Sequence, residues 1–148
     1  MRILILGDVV GRPARRAVRD LVPSLIQQEE LDLVVANAEN SAGGMGVDIR
    51  SAKELLSAGV HVLTSGNHIW KKKEIYSYLG KQPRLLRPAN YPDGAPGQGW
   101  VEWQRDAGTR AQLPTTIVGE RVFEGFDPKK TSEGIRSAIQ EYQTEESD

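Results

Sequence analysis

The 148-residue chain is long enough to bury a core without covalent staples, and 39% hydrophobic with 26% charged residues is ordinary globular composition. Nineteen basic against twenty acidic residues leave a net charge of -1, so no global field grips nucleic acid and any anion must be held locally. Cysteine is absent, which excludes disulfides and thiolate metal sites and fits a reducing cytoplasm. The first apolar run is too short for a signal peptide or a membrane span, and the expectation is a cytoplasmic protein with a single domain over 1–148.

In chain order, Ile3 to Leu6 predicts a buried strand that ends at Asp8, a carboxylate held between Gly7 and Gly11. Pro13 fits the first turn of a helix with an inner face of Ala14, Val18, Leu21, Val22 and Leu25. Arg12, Arg15, Arg16 and Arg19 would then point to solvent, and Pro23 would kink or restart the helix. Leu31 to Ala36 reads as a strand buried on both faces, followed by Glu39-Asn40 and a flexible loop, Ser41 to Gly46. Asp48 caps a second helix on Ile49, Ala52, Leu55 and Leu56, which Gly59 ends in a left-handed cap. Val60 to Thr64 is the third strand and leads to Asn67-His68.

Beyond it, Lys72 to Leu79 predicts a short helix and Leu85-Leu86 a brief fourth strand. After a Pro- and Gly-rich loop, Trp100 to Trp103 and Thr115 to Val118 read as strands joined around Asp106-Ala107-Gly108. Ser132 to Tyr142 has helical spacing. The pattern is α/β: a mostly parallel sheet flanked by helices, with polar ends recurring at intervals of roughly 30 residues, one βα unit.

In such sheets ligands bind outside the carboxyl ends of the strands, so Asp8, Glu39, Asn40, Asn67 and His68 are expected to face one crevice. Carboxylate and amide oxygens suit Mg, Mn or Fe, and a carboxylate such as Glu39 can bridge two ions about 3.5–4 Å apart. His68 stands where it can protonate a leaving group. Each piece has a plainer reading: Gly-Asp after a strand is a common helix-entry turn, and Glu39-Asn40 an ordinary strand end. Only the combination favours a site. His61, inside an apolar strand, is expected to be a hydrogen-bonded core residue. Lys71 to Lys73 read as a solvated helix start, and Trp100 and Trp103 as packing residues. Gly7 to Arg12 lacks the G-x-G-x-x-G spacing of a dinucleotide loop and sets an acid where pyrophosphate would approach.

Four segments, Gly7-Asp8-Val9-Val10-Gly11, Asn37 to Gly44, Gly66-Asn67-His68-Ile69-Trp70 and Arg87 to Pro92, together resemble the YmdB-type branch of the calcineurin-like metallophosphoesterases. The motif-bearing part is 1–92. The resemblance implies a phosphodiesterase acting on 2′,3′-cyclic nucleotides at a two-metal centre, with Fe or Mn, or else Mg, as the cation. It implies that Asp8, Glu39 and Asn40 hold one metal, that Glu39 bridges to a second held also by Asn67, that His68 is the proton donor, and that Arg87 to Pro92 border the substrate crevice.

Two departures bear on activity. Lys71 follows Trp70 where the family usually has an acid, and the family's three downstream histidine ligands have no counterpart in a chain whose only histidines are His61 and His68. The expectation is a domain without the family's C-terminal half, with one ion or none and impaired turnover. A non-catalytic nucleotide-binding or regulatory module is the alternative. The expected partner is a small nucleotide or phosphodiester rather than a nucleic acid or a membrane, with oligomerisation left open.

Overall fold

The computed structural model describes residues 1–106 and 109–114. Three parallel strands, β1 (Ile3–Asp8), β2 (Leu33–Asn37) and β3 (Val62–Thr64), form a sheet in the order β1-β2-β3. The crossovers run through α1 (Gly11–Gln28) and α2 (Ile49–Ser57). Two successive crossovers of the same hand, moving in the same direction along a sheet, place both helices on one face. The expected α/β architecture is therefore present.

Side chains alternate along β2, as a strand's period of two requires. Val34 and Ala36 join the helix-side core with Val18, Val22, Ala52, Leu55 and Leu63. Leu33 and Val35 face the other way, with Val62 and Leu86, and meet Val101 and Trp103. Those last two lie on β4 (Trp100–Asp106), which pairs antiparallel with β5 (Thr109–Pro114). The hairpin is thus the cover of the second face. Its partner strand begins sooner than the sequence pattern suggested, and the expected strand at Thr115 to Val118 and helix at Ser132 to Tyr142 lie outside the described residues.

Several local expectations change. The β1 run is half-buried on one side only: Leu4 and Leu6 pack against the helix-side core, while Ile3 is 41% and Ile5 74% exposed, β1 being an edge strand among the described residues. In α1 the buried stripe is Gly11, Arg15, Val18 and Val22, spaced at four, seven and eleven residues from the first, while Leu21 is exposed. Arg15 is consequently not a solvent-facing arginine. It pairs with Glu54 of α2 at 2.8 Å and donates to the carbonyl of Ser41. Pro23 does not interrupt α1, since it stands on the exposed side where the carbonyl it leaves without a helical donor can turn to water.

The α2 cap is as expected. The Asp48 carboxylate accepts from the Ser51 N–H at 2.6 Å, and the Ser51 hydroxyl completes the capping box. Burial would raise the Asp48 pKa, but the two Ser51 hydrogen bonds and the charges of Arg15 and Arg50 prevail and lower it. Gly59, with φ of +99°, closes the end. After β3 the chain makes a 3₁₀ turn, η1 (Asn67–Lys71), so the expected helix shrinks to α3 (Ile75–Leu79). Leu85 and Leu86 form only single bridges, to Leu63 and Gln98, instead of a fourth strand. His61 behaves as expected of a core histidine: its Nδ1 accepts the Val34 N–H at 2.9 Å, and its ring meets Trp103 edge-on at 5.4 Å. Trp103 packs as expected, but Trp100 is 41% exposed.

Candidate functional site

The carboxyl ends of the three strands are tied directly to one another. Val9 donates to the Asn37 carbonyl at 2.9 Å, and Ala38 to that of Thr64 at 2.9 Å. Asp8 closes β1 beyond a register slip between Leu6 and Asp8, with Gly7 as the extra residue of a bulge. Its carboxylate is exposed and accepts from Asn40 Nδ2 at 2.7 Å. Glu39 lies half-buried beneath η1, where its Oε2 accepts the His68 backbone N–H at 3.1 Å. A Cβ at Gly66 would lie 2.5 Å from Glu39 Oε2 and 2.8 Å from Oε1, so the carboxylate occupies space that only glycine leaves open.

His68 Nδ1 lies 2.6 Å from Asn40 Oδ1. Asp8 sets the protonation pattern. An ionised carboxylate only accepts, so the Asn40 atom facing Asp8 is the NH₂ and the atom facing His68 is the carbonyl oxygen. His68 Nδ1 must then carry the hydrogen, which leaves Nε2 for an outside partner. Asp8, Asn40 and His68 form one continuous hydrogen-bonded row, with Glu39 fastened to the same turn.

Asn67 opens that turn, next to His68, and is exposed; its side chain makes no hydrogen bond among the described residues. Four of the five expected site residues are therefore joined by hydrogen bonds, while Asn67 is placed only by its neighbours. Arg87 is buried rather than lining an open crevice: its guanidinium reaches the carbonyls of Pro88, Tyr91 and Pro92 at 3.0, 3.4 and 3.5 Å. Trp70 packs against Tyr76 and Tyr91 with both centroids at 5.3 Å, and its Nε1 is buried.

Arg15 is the residue that sequence reasoning missed. By holding the Ser41 carbonyl it fixes the chain one residue after Asn40, and the Ser41 hydroxyl bonds that of Ser51 at 3.1 Å. The only signal available beforehand was its spacing of three and seven from Val18 and Val22.

A family model described as "YmdB-like protein" matches residues 4–146, nearly the whole chain. The chain belongs to the YmdB-like family. Over 99 residues it is 43% identical to the "2′,3′-cyclic-nucleotide 2′-phosphodiesterase" of Bacillus subtilis, an alignment covering 67% of this chain and 38% of that protein. A solved structure of a hypothetical protein from Thermus thermophilus superposes with a TM-score of 0.70 at 40% identity, covering 77% of this chain and 44% of that one. A solved Mycoplasma pneumoniae structure described as a novel phosphatase gives 0.72 at 28% identity, covering 90% and 49%. This YmdB-like chain thus spans less than half the length of each of these relatives.

Proposed function

We propose that this YmdB-like chain carries the phosphate-facing half of a metal-dependent phosphodiesterase site that accepts 2′,3′-cyclic nucleotides. The observation that carries the reading is the hydrogen-bonded row Asp8-Asn40-His68 with Glu39 beside it, at the common edge of three parallel strands. The named activity of the 43% identical relative supports the substrate class.

The donor set suits a hard divalent cation such as Mn, Fe or Mg. Each of the three side chains keeps acceptor capacity: Asp8 has its second carboxylate oxygen, Glu39 has Oε1, and Asn40 Oδ1 accepts only one hydrogen. Among the described residues no three His, Cys, Asp or Glu side chains converge, so a cation would depend on the amides of Asn40 and Asn67 as well as the carboxylates. When bound, it would neutralise phosphate charge and lower the pKa of an attacking water. Glu39, confined by the Gly66 backbone, would keep its carboxylate aimed at that position. Asn40 would hold the His68 ring through its Nδ1–H. When the ring also carries a proton on Nε2, as imidazolium, it would deliver that second proton to the departing ribose oxygen and return to the neutral Nδ1–H form.

Only two histidines occur in the sequence, which supports a second reading, a nucleotide-binding module without turnover. One experiment separates the two. Calorimetry with Mn²⁺ is expected to show weak binding that Glu39→Gln abolishes, and incubation with 2′,3′-cyclic AMP to yield a 3′-nucleotide slowly. Cyclic-nucleotide binding with no product supports the module. If neither Mn²⁺ nor the nucleotide binds at millimolar concentration, both readings are wrong.

A further inference from the structure

Two apolar side chains stand out at this edge. Val10 and Met45 are each 49% exposed, although Val9 next to the first and Val47 two residues after the second are buried. The same atom brings their turns together: the Asn40 carbonyl accepts the N–H of Gly11 at 3.0 Å and that of Gly44 at 3.1 Å. The side chain of that residue links Asp8 to His68, and Val10 and Met45 each lie one residue from a backbone N–H that holds its main-chain carbonyl.

The loop backbone turns Met45 outward. Gly43, Gly44 and Gly46 hold φ of +73°, +97° and +85°, values that side-chain-bearing residues rarely adopt. A Cβ on Gly46 would come within 3.0 Å of Lys71 Cβ and 3.1 Å of Lys72 Cγ, so the loop is pressed against η1 on its far side. The loop therefore spans from the start of α1 to the turn bearing His68, with its single large apolar residue facing solvent.

We infer that Val10 and Met45 form the shelf that contacts the nucleobase when a nucleotide's phosphate occupies the row Asp8-Asn40-His68; this rests on the proposed function. A nucleotide joins an anionic end to a flat, polarisable one, and the second needs an apolar surface a short step from the first. Methionine, unbranched and polarisable, adapts to either purine or pyrimidine faces. Trp70, the nearest aromatic in sequence to His68, does not fill this role, because Tyr76 and Tyr91 already pack on its ring and its Nε1 is buried.

The test is calorimetry on the full chain in Mg²⁺ with three probes: adenosine 3′-monophosphate, ribose 5-phosphate and inorganic phosphate. The nucleotide is expected to bind about tenfold more tightly than ribose 5-phosphate, the effect of covering one large apolar side chain. The double substitution Val10→Ser and Met45→Ser should bring that ratio to within about twofold, with circular dichroism confirming an unchanged fold. Equal affinities in the unaltered chain, or a ratio that survives the double substitution, would overturn the shelf while leaving the phosphate site standing. If none of the three binds, the phosphate site is absent and the shelf falls with it.

Discussion

On one face of the β1-β2-β3 sheet, α1 and α2 enclose Val34, Ala36 and Leu63; on the other, Val101 and Trp103 of the β4-β5 hairpin cover Leu33, Val35 and Val62, and Ile3 and Ile5 of β1 are exposed. The first face holds the larger core, with Leu55, Ala52 and Leu63 wholly withdrawn from water. The second is a small cluster whose hairpin partners, Val101 and Trp103, are only half-buried. Apolar burial near 25 cal/mol per Å² makes the first face the main source of stability. The candidate site belongs to neither face, since it stands on the strand ends that both share.

Mutations can weigh the two faces against each other. Leu55→Ala opens a cavity under α2 and should lower stability by about 3 kcal/mol, read as a fall in the urea midpoint. At the shared edge, Gly66→Ala forces a methyl into the Glu39 carboxylate and should reduce stability by about 2 kcal/mol while removing Mn²⁺ binding. Retained Mn²⁺ affinity in that variant would show that Glu39 is not a ligand. On the hairpin face, Trp103→Ala should cost about 1.5 kcal/mol, near half the value for a fully buried tryptophan. A loss equal to that of Leu55→Ala would erase the distinction between the faces.

A fourth measurement reads the hairpin face through pH. Burial, and secondarily the charge of Arg84, holds the His61 imidazole below its usual value of 6.5. The unfolded chain takes up this proton first, so the stabilisation from the neutral ring is complete above the unfolded value. It is lost as pH falls from about 6.5 toward the lower folded value. Urea midpoints at pH 8 and pH 5 should differ more for the unaltered chain than for His61→Gln. The smallest effect belongs to Ile5→Thr, which should stay within about 0.5 kcal/mol because the side chain is 74% exposed. A larger loss would mean that something covers this part of the sheet.

What could be read beforehand follows the same division. The helix-side core was legible because Val34 and Ala36 belong to a near-continuous apolar run and Ala52 and Leu55 recur at helical spacing. The strand-end residues were legible because polar pairs follow apolar runs at regular intervals. Arg15 was misread because composition assigns arginine to solvent, whereas its partner Glu54 is 39 residues away and invisible to any local pattern. Ile3 and Ile5 were misread for the complementary reason. An apolar run does not reveal whether its strand will be central or at an edge. The β5 strand, Thr109–Pro114, carries Arg110 and Gln112 in place of the apolar residues that made 115–118 the more attractive segment.

The bulge at Gly7 carries one more consequence. Counted from Ile3 without interruption, Asp8 shares the even parity of Leu4 and Leu6, and an ideal ladder would set it opposite Ala38, a wholly buried residue of the helix-side core. There an ionised carboxylate would lose its hydration, a penalty of several kcal/mol. One surplus glycine swaps odd for even, so that Asp8 instead falls opposite Asn37 and the acid emerges at the rim.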